Sequence, residues 1–262
     1  MSGKNQLKHH ADSARCGRAY TWPMAALSAL SFWCRHQGTF WLMTLPIVGL
    51  AAAVAYVLDT RREFVEWQHH WGWDFLFALI YAMFLDRWIK EALLDDAAPC
   101  DAVDEMRRST IAVRFLTFAA SLCLLAIMVA PCPYIELNAV ACAAAASVFV
   151  MLLPSLAAHK PITLHEAFVL GRPMQSHLFL LIGGAILVSL LTGLGLSLAA
   201  MMLPAKPWVP AMVAGLQRLV DCLLLAGVGY GLATMFRTLT DWQQPEPEDR
   251  PFPGLRMRTR KV

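Results

Sequence analysis

The chain reads as an all-α polytopic integral membrane protein with six transmembrane helices. Three observations predict that class: an apolar composition, six apolar runs of bilayer-crossing length, and basic residues gathered on one side of those runs. Hydrophobic residues make up 58% of the 262 positions and charged residues 16%. A soluble globular chain carries ~45–50% apolar and ~25% charged residues. A soluble core does not require uninterrupted apolar stretches. A bilayer does, because its ~30 Å hydrocarbon core takes ~20 helical residues to cross.

The runs justify themselves in order. Residues 39–58 are clean apart from Pro46. Residues 71–90 are weaker, with an uncharged centre only at 75–85. Residues 111–130 carry Arg114 near their start, and residues 138–158 are alanine-rich with Pro154 near the end. Residues 177–203 are long and rich in glycine, and residues 209–236 are interrupted by Arg218 and Asp221. All are too long for ordinary strands, and a helix satisfies its own backbone in lipid.

Six crossings put the N-terminal segment, the second and fourth connections and the C-terminal segment on one face. Of the 22 Lys and Arg, only Arg61, Arg62 and Lys206 fall on the other face, and Arg218 lies inside the sixth run. Basic residues stay on the cytoplasmic side, so both termini are expected inside, in the inner (plasma) membrane of a bacterium. The same distribution retains the weak second run. Without it, the cluster from Arg87 to Arg114 would share a face with Arg61 and Arg62. Asp74 and Asp86 then lie near its two interfaces, with Arg87 snorkelling. The acids Asp95, Asp96, Asp101, Asp104 and Glu105 do not oppose this, because orientation follows basic residues rather than net charge. A net charge of +3 is accounted for by cytoplasmic basic segments and calls for no nucleic-acid partner.

Three regions follow. Residues 1–38 form a cytoplasmic N-terminal segment without a cleavable signal peptide; in it, residues 22–33 read as an interfacial helix, with Pro23 in the first turn and Trp22 and Trp33 at the surface. Residues 39–236 are the membrane domain, and residues 237–262 a disordered, proline-rich basic tail. Before the fifth span, Thr163 and Glu166 have capping-box spacing, which predicts a short surface helix over 164–170, stopped by Gly171 and Pro173. A short helix ending near an arginine (Arg35, Arg172) thus precedes both the first and the fifth spans, as an internal duplication would produce. The seven cysteines are scattered, with no CxxC pair.

The sharpest candidate site is the pair Arg218 and Asp221, at i,i+3 on one helix face and roughly 13 Å below the surface of a span starting at residue 209. Ionisable groups at that depth mark binding sites or relays. A self-neutralising structural pair, or a span starting lower so that Arg218 lies at the interface, fits the same spacing. In the connection after the first span, Glu63, Glu66, His70 and Asp74 share a helical face and have metal-ligating chemistry, while the tryptophans around them fit an interfacial belt. Gly227, Gly229 and Gly231 echo a potassium-filter sequence, but mid-span placement without a preceding threonine favours close helix packing, as for Gly183, Gly184, Gly193 and Gly195. The two glycine-lined helices are expected to pack together. No nucleotide-binding, metalloprotease or serine-hydrolase motif is present, and no cofactor or resident metal is expected.

Leu153-Pro154, Thr163-Leu164-His165-Glu166-Ala167-Phe168, Gly171 and Leu178-Phe179 resemble a box between spans four and five of bacterial six-span inner-membrane proteins. Those proteins are similar to the membrane domain that accompanies some glycerophosphodiester phosphodiesterases. A looser match covers Arg87-Trp88-Ile89 and Leu93-Leu94, and the resemblance extends over residues 75–237. It implies a fold and a membrane location and carries over no catalytic residue. The expected function is therefore that of a non-catalytic membrane scaffold, assembly factor or accessory subunit, held in the lipid bilayer with a membrane-protein partner or further copies of itself. A small transporter or channel using Arg218 and Asp221 is the alternative.

Overall fold

A computed structural model describes residues 22–60, 68–95, 101–107, 117, 144, 146–203, 206, 208–240 and 242–244. Among these residues every regular element is helical and there is no strand. In chain order they are α1 (Trp22–Arg35), α2 (Gln37–Thr60), α3 (Gln68–Leu93), α4 (Asp101–Arg107), α5 (Leu152–Ala157), α6 (Leu164–Gly171), a 3-10 turn (Arg172–Met174), α7 (Gln175–Met201) and α8 (Trp208–Thr240).

Three stretches combine the length and apolarity that a membrane crossing demands: Gln37–Val57, Leu164–Met201 and Trp208–Thr240. They correspond to the first, fifth and sixth expected runs. The second run forms the 26-residue α3, long enough to cross, but Asp86, Arg87, Lys90 and Glu91 dilute its apolar content. The third run lies outside the described residues except Thr117, and the fourth is described at Ala144 and from Ala146 onward.

Helix α8 is the hub, packing along α2, α3 and α7. Small residues bring the partners close. A Cβ on Gly215 would stand 3.4 Å from Val48 Cγ1 of α2, and one on Gly229 would stand 3.0 Å from Leu85 and 3.1 Å from Trp88 of α3. One on Gly231 would stand 2.9 Å from Leu181 of α7. At one end the helices close on an aromatic cluster. Trp88 stacks on Phe84 at 6.1 Å and meets Phe32 edge-on at 5.2 Å and Phe40 at 5.8 Å, while its indole N–H donates to the Ala226 carbonyl at 2.8 Å. An indole is buried at low cost only when its N–H finds such an acceptor.

Helix α1 enters this cluster through the fully buried Phe32, while Leu27 and Leu30 remain exposed. Only His36 separates it from α2. The arrangement combines the expected surface helix with a near-continuous approach to the first long helix.

The cap of α6 forms as its spacing predicts. Thr163 Oγ1 accepts from the Glu166 amide at 3.2 Å, and the Thr163 amide donates to Glu166 Oε2 at 2.7 Å. Its far end differs from expectation. Gly171 stays right-handed (φ −74, ψ −22) instead of turning left, and the chain runs through the 3-10 turn to a bend at Met174 (φ −115, ψ 15). The position is buried, and a Cβ there would make ordinary contacts at 3.5 Å with Met151 and 3.6 Å with Leu178. Within the sequence box, Thr163 and Glu166 close the cap, and Gly171 lies beside Met151 and Leu178 where α6 gives way to α7.

Two further expectations need correction. Asp86, expected near an interface, is covered by protein and pairs with the inaccessible Lys90 at 3.0 Å, while Arg87, expected to snorkel, stays partly exposed and pairs with the buried Glu91 at 2.6 Å. The i,i+4 spacing lets one helix neutralise its own charges. The C-terminal tail also begins later than residue 237. Helix α8 continues to Thr240, Trp242 is buried, and Arg237 and Gln244 both donate to the Leu93 carbonyl. That carbonyl belongs to the last turn of α3, where no intrahelical donor remains and a cation suits the helix dipole. Residues 245–262 lie outside the described residues.

Candidate functional site

Arg218 and Asp221 meet on α8 at 3.3 Å, between Arg218 Nη1 and Asp221 Oδ2. They do not stand alone. The Tyr81 hydroxyl of α3 donates to Asp221 Oδ2 at 3.1 Å, and the Ser189 hydroxyl of α7 donates to Oδ1 at 2.6 Å. Gln217 Nε2 reaches Oδ1, the Ser189 hydroxyl and the Ser189 carbonyl, each at 3.1 Å. Arg218 Nη1 also donates to the Tyr81 hydroxyl at 3.3 Å. Its guanidinium lies 4.5 Å from the Phe77 ring centroid, where the negative face of the ring attracts a cation.

Positions 217, 218 and 221 fall at i, i+1 and i+4, which points Gln217 and Asp221 toward α7 while Arg218 turns toward α3. Gly193 of α7 makes room, since a Cβ there would stand 3.3 Å from Gln217 Oε1. One carboxylate therefore collects donors from three helices. Its charge is met by Arg218, and both its oxygens are hydrogen-bonded, which is what a charge needs to persist away from water. The chemistry on offer is electrostatic pairing and helix locking. Among the described residues the cluster shows no activated nucleophile: the Ser189 hydroxyl faces a carboxylate and an amide, the Tyr81 hydroxyl a carboxylate and a guanidinium, and neither has a histidine or lysine among its described partners.

Tyr81, Ser189 and Gln217 were not singled out by sequence. Ser189 is a serine in an apolar stretch and Gln217 adjoins Arg218, four residues before Asp221, and those are the signals that mark them. Nothing local ties Tyr81 to a partner 140 positions away.

The glycines divide. Gly193 and Gly231 lie in the α7–α8 contact, in line with the expected packing of those helices, whereas Gly229 serves the contact with α3. Among the described residues, nothing lies within 4 Å of a Cβ built on Gly184, Gly195 or Gly227. Gly183 is half-buried on α7. The segment from Gly227 to Gly231 is continuous helix, without the re-entrant loop a filter needs.

Glu63 and Glu66 lie outside the described residues; His70 and Asp74 fall on the first turns of α3, with side chains outside them. No group of three metal-ligating side chains occurs among the described residues. Of the acidic stretch, Asp95 pairs with Arg35 at 2.5 Å and lies 3.7 Å from His36. That contact ties α1 to the end of α3. Outside the long helices, the backbone and hydroxyl of Thr163 hold the Glu166 carboxyl below the usual carboxylate range.

The helices and this cluster together define a class: an α-helical chain with three helices fit to cross a membrane and a polar lock between its long helices. Comparison with protein-family models, curated proteins and solved structures gave no match.

Proposed function

We propose that the chain is a non-catalytic, six-span integral membrane protein, with both ends cytoplasmic, that scaffolds or accompanies another membrane component. The observation that carries this reading is the use made of its principal polar cluster. Asp221 accepts hydrogen bonds from Ser189, Gln217, Tyr81 and Arg218, which spends the polar groups on joining α3, α7 and α8. The outer face of α7 supports it too. Leu180, Leu187, Leu191, Leu194 and Leu198 are exposed there alongside Gly184 and Gly195, leaving an apolar face for lipid or a partner helix. Kinship with the membrane domain that accompanies some glycerophosphodiester phosphodiesterases belongs to the same proposal, and the cap of α6 at Thr163 and Glu166, with Gly171 buried beside Leu178, supports it.

Extracted in mild detergent and purified, the chain should migrate with a stoichiometric partner or as a defined oligomer. Repeated recovery of a lone monomer overturns the scaffold reading. Reporter fusions after each apolar run check the six-span, both-ends-inside topology.

A second reading, a small transporter, is favoured by one observation: the Arg218 side chain keeps 27% exposure while paired in mid-helix. Flux in proteoliposomes that vanishes in Asp221→Asn, with the fold retained, selects transport over scaffolding.

A further inference from the structure

Helices α6 and α7 and the 3-10 turn between them make a single apolar stretch of 38 residues, Leu164–Met201. At ~1.5 Å per residue it would measure ~57 Å, against ~30 Å for a hydrocarbon core and ~40–45 Å with the headgroups included. Helix α7 alone, with 27 residues, already exceeds the core thickness. If α7 crosses, α6 is left at or beyond the headgroup layer.

An eight-residue helix facing water would be expected to turn polar residues outward. Helix α6 instead exposes Leu164 by 59%, Val169 by 54% and Phe168 by 38%. Its other side is anchored: Ala167 and Gly171 are buried, and Gly171 packs against Met151 and Leu178. The apolar residues are therefore presented by a fixed support. Around them His159, Lys160, His165 and Arg172 are all exposed. The acid on this helix, Glu166, is folded back into the cap with Thr163. The surface is thus apolar at its centre and cationic at its rim.

We infer that α6, with Lys160 and Arg172 at its two ends, is a binding surface for the headgroups of anionic phospholipids. Lys160 and Arg172 contact the lipid phosphates, while Leu164, Phe168 and Val169 insert at the boundary of the acyl chains. Cations alone would suit any soluble anion. The three apolar side chains between them select a leaflet, because only a leaflet offers negative charge and hydrocarbon at adjacent depths. The inference rests on the membrane reading above and adds a lipid class and a place on the chain to it.

The test uses the full-length protein in nanodiscs of phosphatidylcholine alone, or of phosphatidylcholine and phosphatidylglycerol in equal amounts. Hydrogen–deuterium exchange is followed over residues 159–177, with α2 and α8 as the reference for insertion. Exchange over α6 should slow by about twenty-five-fold in the anionic discs, since each of the two cations contributes about five-fold to partitioning near an anionic leaflet. Lys160→Gln with Arg172→Gln should abolish the difference between the discs, and Leu164→Ser with Phe168→Ser should remove the protection in both. Unprotected α2 and α8 amides would overturn the membrane reading and this inference with it. Protected α2 and α8 with equal α6 exchange in the two discs would overturn the lipid surface alone. Protection by inorganic phosphate in phosphatidylcholine discs, equal to that by phosphatidylglycerol, would replace it with a soluble-anion site.

Discussion

Helices α7 and α8 lie against each other, and the more apolar of the two is the less buried. Over their most apolar windows 6% of α7 is buried and 50% of α8, although α8 carries Gln217, Arg218 and Asp221 and the α7 window has no charge. In water the order would be reversed, because apolar surface is what water expels. In lipid, hydrocarbon is as good a neighbour as leucine, so the interior goes to helices with small residues for close approach and polar groups that need partners. Helix α8 has both. Helix α7 contributes Ser189, Gly193 and Leu181 along one flank and presents leucines elsewhere.

Substitutions can break or sharpen this contrast, each read as denaturation in detergent or bilayer discs. The largest effect belongs to Trp88, which is fully buried beside α8 and bonded to Ala226. Trp88→Ala should cost about 3–5 kcal/mol, as large-to-small changes in packed cores do. Leu187→Ala, on the open face of α7, should cost under about 0.5 kcal/mol. An equal cost at Leu187 would mean that the face is covered.

Next comes the polar lock. Asp221→Leu should destabilise by about 2 kcal/mol, because the two interhelical bonds from Tyr81 and Ser189 are worth ~0.6 kcal/mol each and the Arg218 ion pair and the Gln217 bond on α8 are lost with them. Arg218→Leu combined with Asp221→Leu should cost less than the sum of the single changes, since the pair leaves no lone charge behind. Strict additivity in that cycle would show that the two residues act separately.

The glycines offer a test by sign. Gly229→Ala should destabilise by about 1 kcal/mol, because the new Cβ meets the rigid Trp88 ring. Gly184→Ala should be neutral or stabilising by up to about 1 kcal/mol, the helix-propensity gain of alanine where space is free. The same sign at both sites would end the distinction between the two helices.

The smallest effect concerns the cap of α6. The Glu166 carboxyl is held below its ordinary range, so its contribution is complete above the ordinary carboxylate range and is lost as pH falls through the lowered value. Glu166→Gln should remove that pH dependence from amide exchange over residues 164–167, whereas Thr163→Ala, which keeps the backbone donor to the carboxylate, should only weaken it. An unchanged acid profile would show that the cap does not set it.

What was legible in the sequence was local. The first, fifth and sixth runs declared helices by length and apolarity, and Thr163 with Glu166 declared a cap, because a capping box is closed by groups three residues apart. The pairing of Arg218 with Asp221 was legible for the same reason. Misreadings arose where the cause lay across the chain. Gly171 looked like a helix stop, whereas the backbone stays right-handed through it, buried beside Met151 and Leu178, and Asp86 looked interfacial but is covered by protein.

The chain by itself therefore determined that the first, second, fifth and sixth runs are helical, where one helix is capped, and how an arginine and an aspartate are spaced on one face; each follows from bonds within a turn or two. Only the tertiary structure decided that Tyr81 and Ser189 complete the site, that α8 is the hub, and that α7 and α6 keep apolar faces open. The physical reason is that apolarity alone does not rank helices when the surroundings are apolar. Which helix goes inside is settled by polar partners and close contacts that come from distant parts of the chain.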